Sequence, residues 1–287
     1  MNTSRAERYE GLQELDVAGL HAFCSPGTIT PALRVAGRCA AAQRVLARLF
    51  GFPIVPELLI LGRADWPGRA AFPTYGVTHY DLPRRAIVAP GEPADFWMTV
   101  LELLERAAPE QLPLLRGVYG DSAGRPDLTA HVDTWVAHDL GHAYHLDRGS
   151  WFPRRWLMEL FADLCAYTAL AQAEPGALPA LLTLPRALCA VVPEALPLSS
   201  LAEFETHYGD EVLDVATYLW YHGRLFRLAE QLHKALGERA LQQLWAVFVV
   251  TSVSDVDDAE LVALLAQVSP LLADAARTWP ALPREGL

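Results

Sequence analysis

Residues 131–167 read HVDTWVAHDLGHAYHLDRGSWFPRRWLMELFADLCAY, and the two helices that fit in this stretch govern the reading of the rest. The first carries His138 and His142, the second Glu159 and Asp163. Residues four apart on a helix sit one turn apart on one face. His138 and His142 can therefore reach one ion. Glu159 and Asp163 share a face of a segment that is otherwise apolar (Trp156, Leu157, Leu160, Phe161, Leu164). Carboxylates on such a helix must be paired or bound to a cation, because an unpaired buried charge is costly. A divalent metal held by His138, His142 and Glu159 satisfies both helices at once. Two histidines and one carboxylate are the ligand set of a catalytic zinc with an open fourth position, so Zn2+ is the expected cofactor. His145 follows on the same face, but seven residues of helix, about 10 Å, separate it from His138. It is expected at the rim of the site or behind a ligand. His131 is expected as a surface residue at a helix start.

The string HDLGHAYH resembles the H-E-x-x-H helix of zincin metalloproteases. WLMELFAD resembles the glutamate helix of the gluzincin branch, to which thermolysin belongs. The likeness is confined to residues 131–167. It implies ligand roles for His138, His142 and Glu159, and for Asp163 a hydrogen bond to the free nitrogen of a ligand histidine, as metal-bound imidazoles require. It places Asp139 where the family has a glutamate general base. Asp is one methylene shorter, and a shortfall of about 1 Å can cost on the order of 100-fold in rate. Gluzincins take an oxyanion donor from a Tyr or His downstream of the glutamate helix. Tyr218, Tyr221 and His222 lie on one long predicted helix, Tyr218 and His222 on a shared face and Tyr221 rotated away. The alternative for each is an aromatic packing stripe with Trp220 and Phe226.

Composition bounds the partners. At 287 residues the chain can bury one large core or two lobes. A hydrophobic content of 52% fits a globular protein, and a formal charge of −11 argues against nucleic acid. The N-terminus, MNTSRAERYEGLQELD, has no secretory apolar region. No apolar run reaches the roughly 18 residues of a membrane span. Cys24, Cys39, Cys165 and Cys189 form no C-x-x-C pair and are expected as buried thiols of a reducing cytoplasm. The expected partner is a peptide or small-molecule substrate, with no nucleic acid, no membrane, and the oligomeric state open.

The expected fold class is α+β and mostly helical: a zincin-like catalytic core with a small N-terminal β-sheet and a helical C-terminal lobe. Residues 1–173 form the N-terminal and catalytic region, 174–200 a proline-rich connector of short helices that can act as a hinge, and 201–287 the helical lobe. Residues 29–51 show helical spacing stopped by Gly51. Residues 57–61 read as a strand. TYGVTHYD (74–81) and RAIVAP (85–90) can pair as a hairpin across Leu82–Pro83, with His79 near the cleft or merely structural. From Pro93 the pattern turns helical. LLRGVYG (114–120) reads as a short strand, and either it or 85–89 is the sheet edge that binds substrate. Asp127 or Thr129 caps the helix that follows. Ser150 caps the glutamate helix, with Pro153 in its first turn. EVLDVATYLWYHGRLFRLAEQLHKAL is the longest helix candidate, stopped by Gly237.

Three functions compete. The first is a zinc-dependent hydrolase of gluzincin type with Asp139 as base. The second is a catalytically weak or inactive zincin-fold metal-binding protein. The third is an HD-type metal-dependent phosphohydrolase, because VAHDLGH also resembles that superfamily, where adjacent His and Asp both bind metal.

Overall fold

Short, near-continuous apolar runs in the first third of the chain build a sheet. The computed structural model describes residues 9–191, 196, 198–208, 214–250 and 256–281. Its strands are β1 (Gln13–Leu15), β2 (His21–Cys24), β3 (Glu57–Leu61), β4 (His79–Asp81) and β5 (Ala86–Pro90), in the order β1-β2-β3-β5-β4. The central β2, β3 and β5 run parallel, and the outer β1 and β4 run antiparallel to their neighbours. Parallel pairing needs a long crossover. Helix α1 (Ile29–Phe50) supplies it between β2 and β3, and it ends where Gly51 takes a left-handed φ of 80°. Strand residues then divide by parity. Ala22, Cys24, Leu58, Ile60, Ile87 and Ala89 face the helices. Phe23, Leu59, Leu61 and Val88 face a smaller cluster around Tyr9 and Trp66.

The rest is helical: α2 (Asp95–Ala107), α3 (Leu112–Tyr119), α4 (Thr129–Val132), α5 (Val136–Leu146), α6 (Arg155–Ala173), α7 (Leu178–Leu188), α8 (Leu201–His207), α9 (Val215–Leu236), α10 (Glu238–Leu244), α11 (Asp258–Val268) and α12 (Pro270–Thr278). The chain is thus α+β and mostly helical, with a small N-terminal sheet. Helices α1, α5, α6 and α9 pack together and share one apolar cluster with the inner face of the sheet. The proline-rich stretch contributes α7, which packs on α3 and α9. None of the described helices is long and apolar enough to cross a membrane.

Several local expectations are corrected. Residues 114–120 are not a strand but most of α3, with Pro113 in the first turn and Leu115 and Tyr119 buried one turn apart. Neither 114–120 nor 85–89 is the free edge. β5 is covered by β4, so the edge beside the His-bearing helix is β4. His131 is buried rather than at the surface. Its Nδ1–H donates to the Ala180 carbonyl (3.0 Å), and its Nε2 accepts from the Trp135 indole (2.8 Å). Ser150 does not cap the glutamate helix, which starts later, at Arg155. There the Glu205 carboxylate takes the Arg155 N–H instead, at 2.7 and 2.9 Å. Pro153 lies before that helix. Asp127 guards the start of α4, accepting from the Thr129 N–H (2.9 Å) and hydroxyl (2.6 Å).

Candidate metal centre

Glycine lets the two central helices touch. A Cβ at Gly141 would lie 2.9 Å from the Cα of Ala162 and 3.0 Å from the Cβ of Cys165. α5 and α6 therefore cross backbone to backbone, with His138 and His142 on one side of the crossing and Glu159 facing them. His138 Nε2 and His142 Nε2 are 3.0 Å apart. Glu159 Oε2 is 3.3 Å from the first and 3.4 Å from the second. All three residues are buried. Among the described residues this is the group of His, Cys, Asp or Glu side chains close enough to share an ion.

The protons of the two imidazoles can be assigned from their partners. A carboxylate only accepts, so His138 Nδ1 carries the hydrogen that it donates to Asp163 Oδ1 (2.8 Å). A backbone carbonyl only accepts, so His145 Nδ1 donates to Ser150 (3.0 Å). Burial pushes His145 down to about 3, so its ring is neutral and its Nε2 is an acceptor. That Nε2 faces His142 Nδ1 at 3.3 Å, which must then donate. Both ligand candidates thus turn an Nδ1–H outward and bring Nε2 inward, 3.0 Å from each other and 3.3–3.4 Å from a carboxylate oxygen. Three such atoms this close repel unless positive charge lies between them: a proton on His138 Nε2 in the metal-free protein, or a bound cation that takes its place. A tetrahedral zinc with ligands at 2.0–2.2 Å sets them about 3.3–3.6 Å apart, close to the observed edges of 3.0, 3.3 and 3.4 Å. The donor set fits the ion.

Charge in this cluster is tightly coupled. Burial works against a proton on His138, but hydrogen bonds to Asp163 and Glu159 and their charges outweigh it and hold the group well above the usual imidazole value. Burial likewise opposes the Glu159 charge, yet His142 and His138 pull that carboxyl well below its usual range. Asp163 is pushed up to about 6 by burial, against its bond to His138.

Sequence reasoning missed Tyr208. It follows α8 and donates its hydroxyl to the other Glu159 oxygen, Oε1, at 2.6 Å. The carboxylate is thereby left one oxygen for an ion. Arg155, one turn before Glu159, donates to the Tyr208 carbonyl (2.7 Å) and lies over its ring. No spacing rule links Tyr208 to the motif. The only sequence sign nearby is the Ser200–Glu203 capping box that starts α8.

The remaining candidates separate. Asp139 is buried beside the ligands and lines the cleft; its Oδ2 has no hydrogen-bond partner, and burial raises its pKa. It does not belong to the ligand triangle. Tyr218 lines the same cleft, in hydrogen-bond contact with Tyr208. Burial, then the Glu159 charge, holds the phenols of Tyr208 and Tyr218 well above the usual value, so both keep their protons. The His222 ring is 4.3 Å from Tyr218 and 6.2 Å from His138, centroid to centroid. Both of its nitrogens are buried without a partner, and burial lowers it to about 4. Tyr221 does not reach the site: it donates to the Ser200 carbonyl (2.7 Å) and stacks on Trp279. His79 lines the cleft in a structural role, taking the N–H groups of Ala71 and Phe72 on Nε2 and donating to Val77.

The triangle opens on a cleft of about 430 Å³ between β4, α2, α5, α6 and α9. No protein-family model matches this chain, and no curated protein is detectably similar to it.

Proposed function

We propose that this chain is a zinc-dependent hydrolase of gluzincin type, a metallopeptidase built on a zincin-like core. The observation that carries the reading is the buried triangle of two imidazole Nε2 atoms and one carboxylate oxygen, with both Nδ1–H groups turned away from it and an open cleft on its remaining side. Zinc held by His138, His142 and Glu159 would acidify a water and polarise a carbonyl. Asp139, with an unpartnered buried oxygen beside the ligands, accepts a proton and passes it to the leaving group. Tyr218, kept protonated and facing the cleft, donates a hydrogen bond to the developing oxyanion. Tyr208 and Asp163 act behind the ligands, fixing the Glu159 carboxylate and the His138 ring.

A phosphohydrolase of HD type would need Asp139 among the ligands, and a cationic pocket for phosphate. Asp139 lies outside the triangle, and no Lys or Arg is among the described residues lining the cleft. The short side chain of Asp139 favours a second reading, a zincin-fold metal protein with slow turnover. The four free thiols fit a reducing cytoplasm. The test is cleavage of blocked fluorogenic peptides by zinc-loaded wild type and by Asp139→Asn, with and without a chelator. Chelator-sensitive activity that falls at least about 100-fold in Asp139→Asn supports the hydrolase. Equal activity in both removes Asp139 from the mechanism. A rise in rate for Asp139→Glu favours the slow-turnover reading.

A further inference from the structure

We infer that the cleft takes a compact, uncharged amide substrate with a bulky apolar or aromatic group, and that it turns away carboxylate and phosphate ends. This rests on the hydrolase reading above and adds to it a substrate class. The walls are set by Phe96 and Trp97 of α2, Trp135, Met158 of α6, and Val215 and Leu219 of α9. Such walls bind apolar groups by removing them from water, at about 25 cal/mol per Å² of area buried. The charged side chains among the described lining residues are Asp139 and Glu159, both acidic, and no Lys or Arg joins them. The nearest hairpin cations are engaged elsewhere, Arg84 by Asp81 and Arg85 by Asp147. With Asp139, Glu159 and Asp163 around it, a dication is left with no excess positive charge for an anionic substrate. A substrate carboxylate held away from the metal would lose its hydration with no Lys or Arg among the described lining residues to pair with, the costliest kind of burial.

Size is bounded twice. A volume of about 430 Å³ lies near the small end of the roughly 300–1,000 Å³ range of small-molecule sites. The free edge, β4, is three residues long, about 10 Å of strand. An extended peptide can pair with it over three residues at most. Substrates longer than that gain little from the edge.

The test uses zinc-loaded protein and two metal-chelating probes, N-acetylphenylalanine hydroxamate and N-acetylaspartate hydroxamate, read as binding by calorimetry and so without turnover. Zinc per chain is measured in the same samples. The expected result is binding of the phenylalanine probe at least about tenfold tighter, with the ratio narrowed or reversed in Val215→Arg, which puts a cation on the rim. Equal affinities, tighter aspartate binding, or no binding of either probe to protein holding one zinc per chain would overturn the inference and leave the metal reading standing. Protein that holds no zinc would fail the metal reading itself and the inference with it. A chain-length series of blocked phenylalanyl peptides, from two to six residues, should reach constant affinity by about four; affinity that climbs to the end would overturn the compact-substrate part.

Discussion

Two cavities of similar size share the side chain of Trp97 as a wall, and they differ in how their charges are settled. The larger, about 500 Å³, lies between α1, the end of β5, α2 and the loop before α4. It holds five acids, and each has a partner. Asp133 pairs with Arg34, Asp121 with Arg125, and Asp95 with Arg63; Glu92 takes the Arg63 N–H, and Asp127 takes Thr129. The smaller cavity ends on two imidazole nitrogens and a carboxylate oxygen crowded into one triangle, and on Asp139 with an idle oxygen. Volume does not tell the two cavities apart; the crowded triangle and the unpartnered Asp139 oxygen do.

The contrast can be broken most forcefully at the triangle. Glu159→Ala should lower zinc affinity more than about 100-fold, beyond the range for an outer partner, as read by titration against a chromophoric chelator. Arg125→Ala in the other cavity is the matched control.

Buried histidines away from the ligands give the next effect. Burial holds His131 down to about 4, below its unfolded value near 6.5. Between those values the unfolded chain takes a proton that the folded chain refuses. Stability is therefore full above about pH 6.5 and falls as pH drops toward 4, by on the order of 3 kcal/mol for this group alone. Urea unfolding at a series of pH values should show that slope, and His131→Gln should flatten it.

Gly141→Ala comes third. The added methyl meets the Ala162 backbone and Cys165, so α5 and α6 must part. We expect about 1–3 kcal/mol of destabilisation in thermal unfolding, together with weaker zinc binding. Asp163→Asn should leave the fold intact and cost about 10–100-fold in zinc affinity. Last, Arg125→Ala should shift stability by less than about 0.5 kcal/mol, as an exposed pair does, and leave zinc binding unchanged.

What the sequence made legible follows the range of the forces involved. Helix α1 with its Gly51 stop, strand β3, the β4–β5 hairpin and helix α9 are all set by local periodicity and turn residues. So is the cluster of His138, His142 and Glu159, because two four-residue spacings on adjacent helices converge once Gly141 lets them cross. Residues 114–120 were misread because a short apolar run fits a strand or a helix equally, and only the burial of Leu115 and Tyr119 decides. His131 looked exposed because the Ala180 carbonyl that buries it lies 49 residues away. Tyr208 was invisible for the same reason, at 49 residues from Glu159. Helical position already sets Tyr221 on a different face from Tyr218, but not which face meets the site, since the partner that claims Tyr221, Ser200, lies on another element.

The central claim is that His138, His142 and Glu159 hold one dication while the ion-paired cavity holds none. A crystal grown with zinc, measured at the zinc absorption edge, tests it directly. The account predicts an anomalous peak within about 2.0–2.2 Å of His138 Nε2, His142 Nε2 and a Glu159 oxygen. No peak there, or a peak only among Arg34, Asp121 and Asp133, would contradict it.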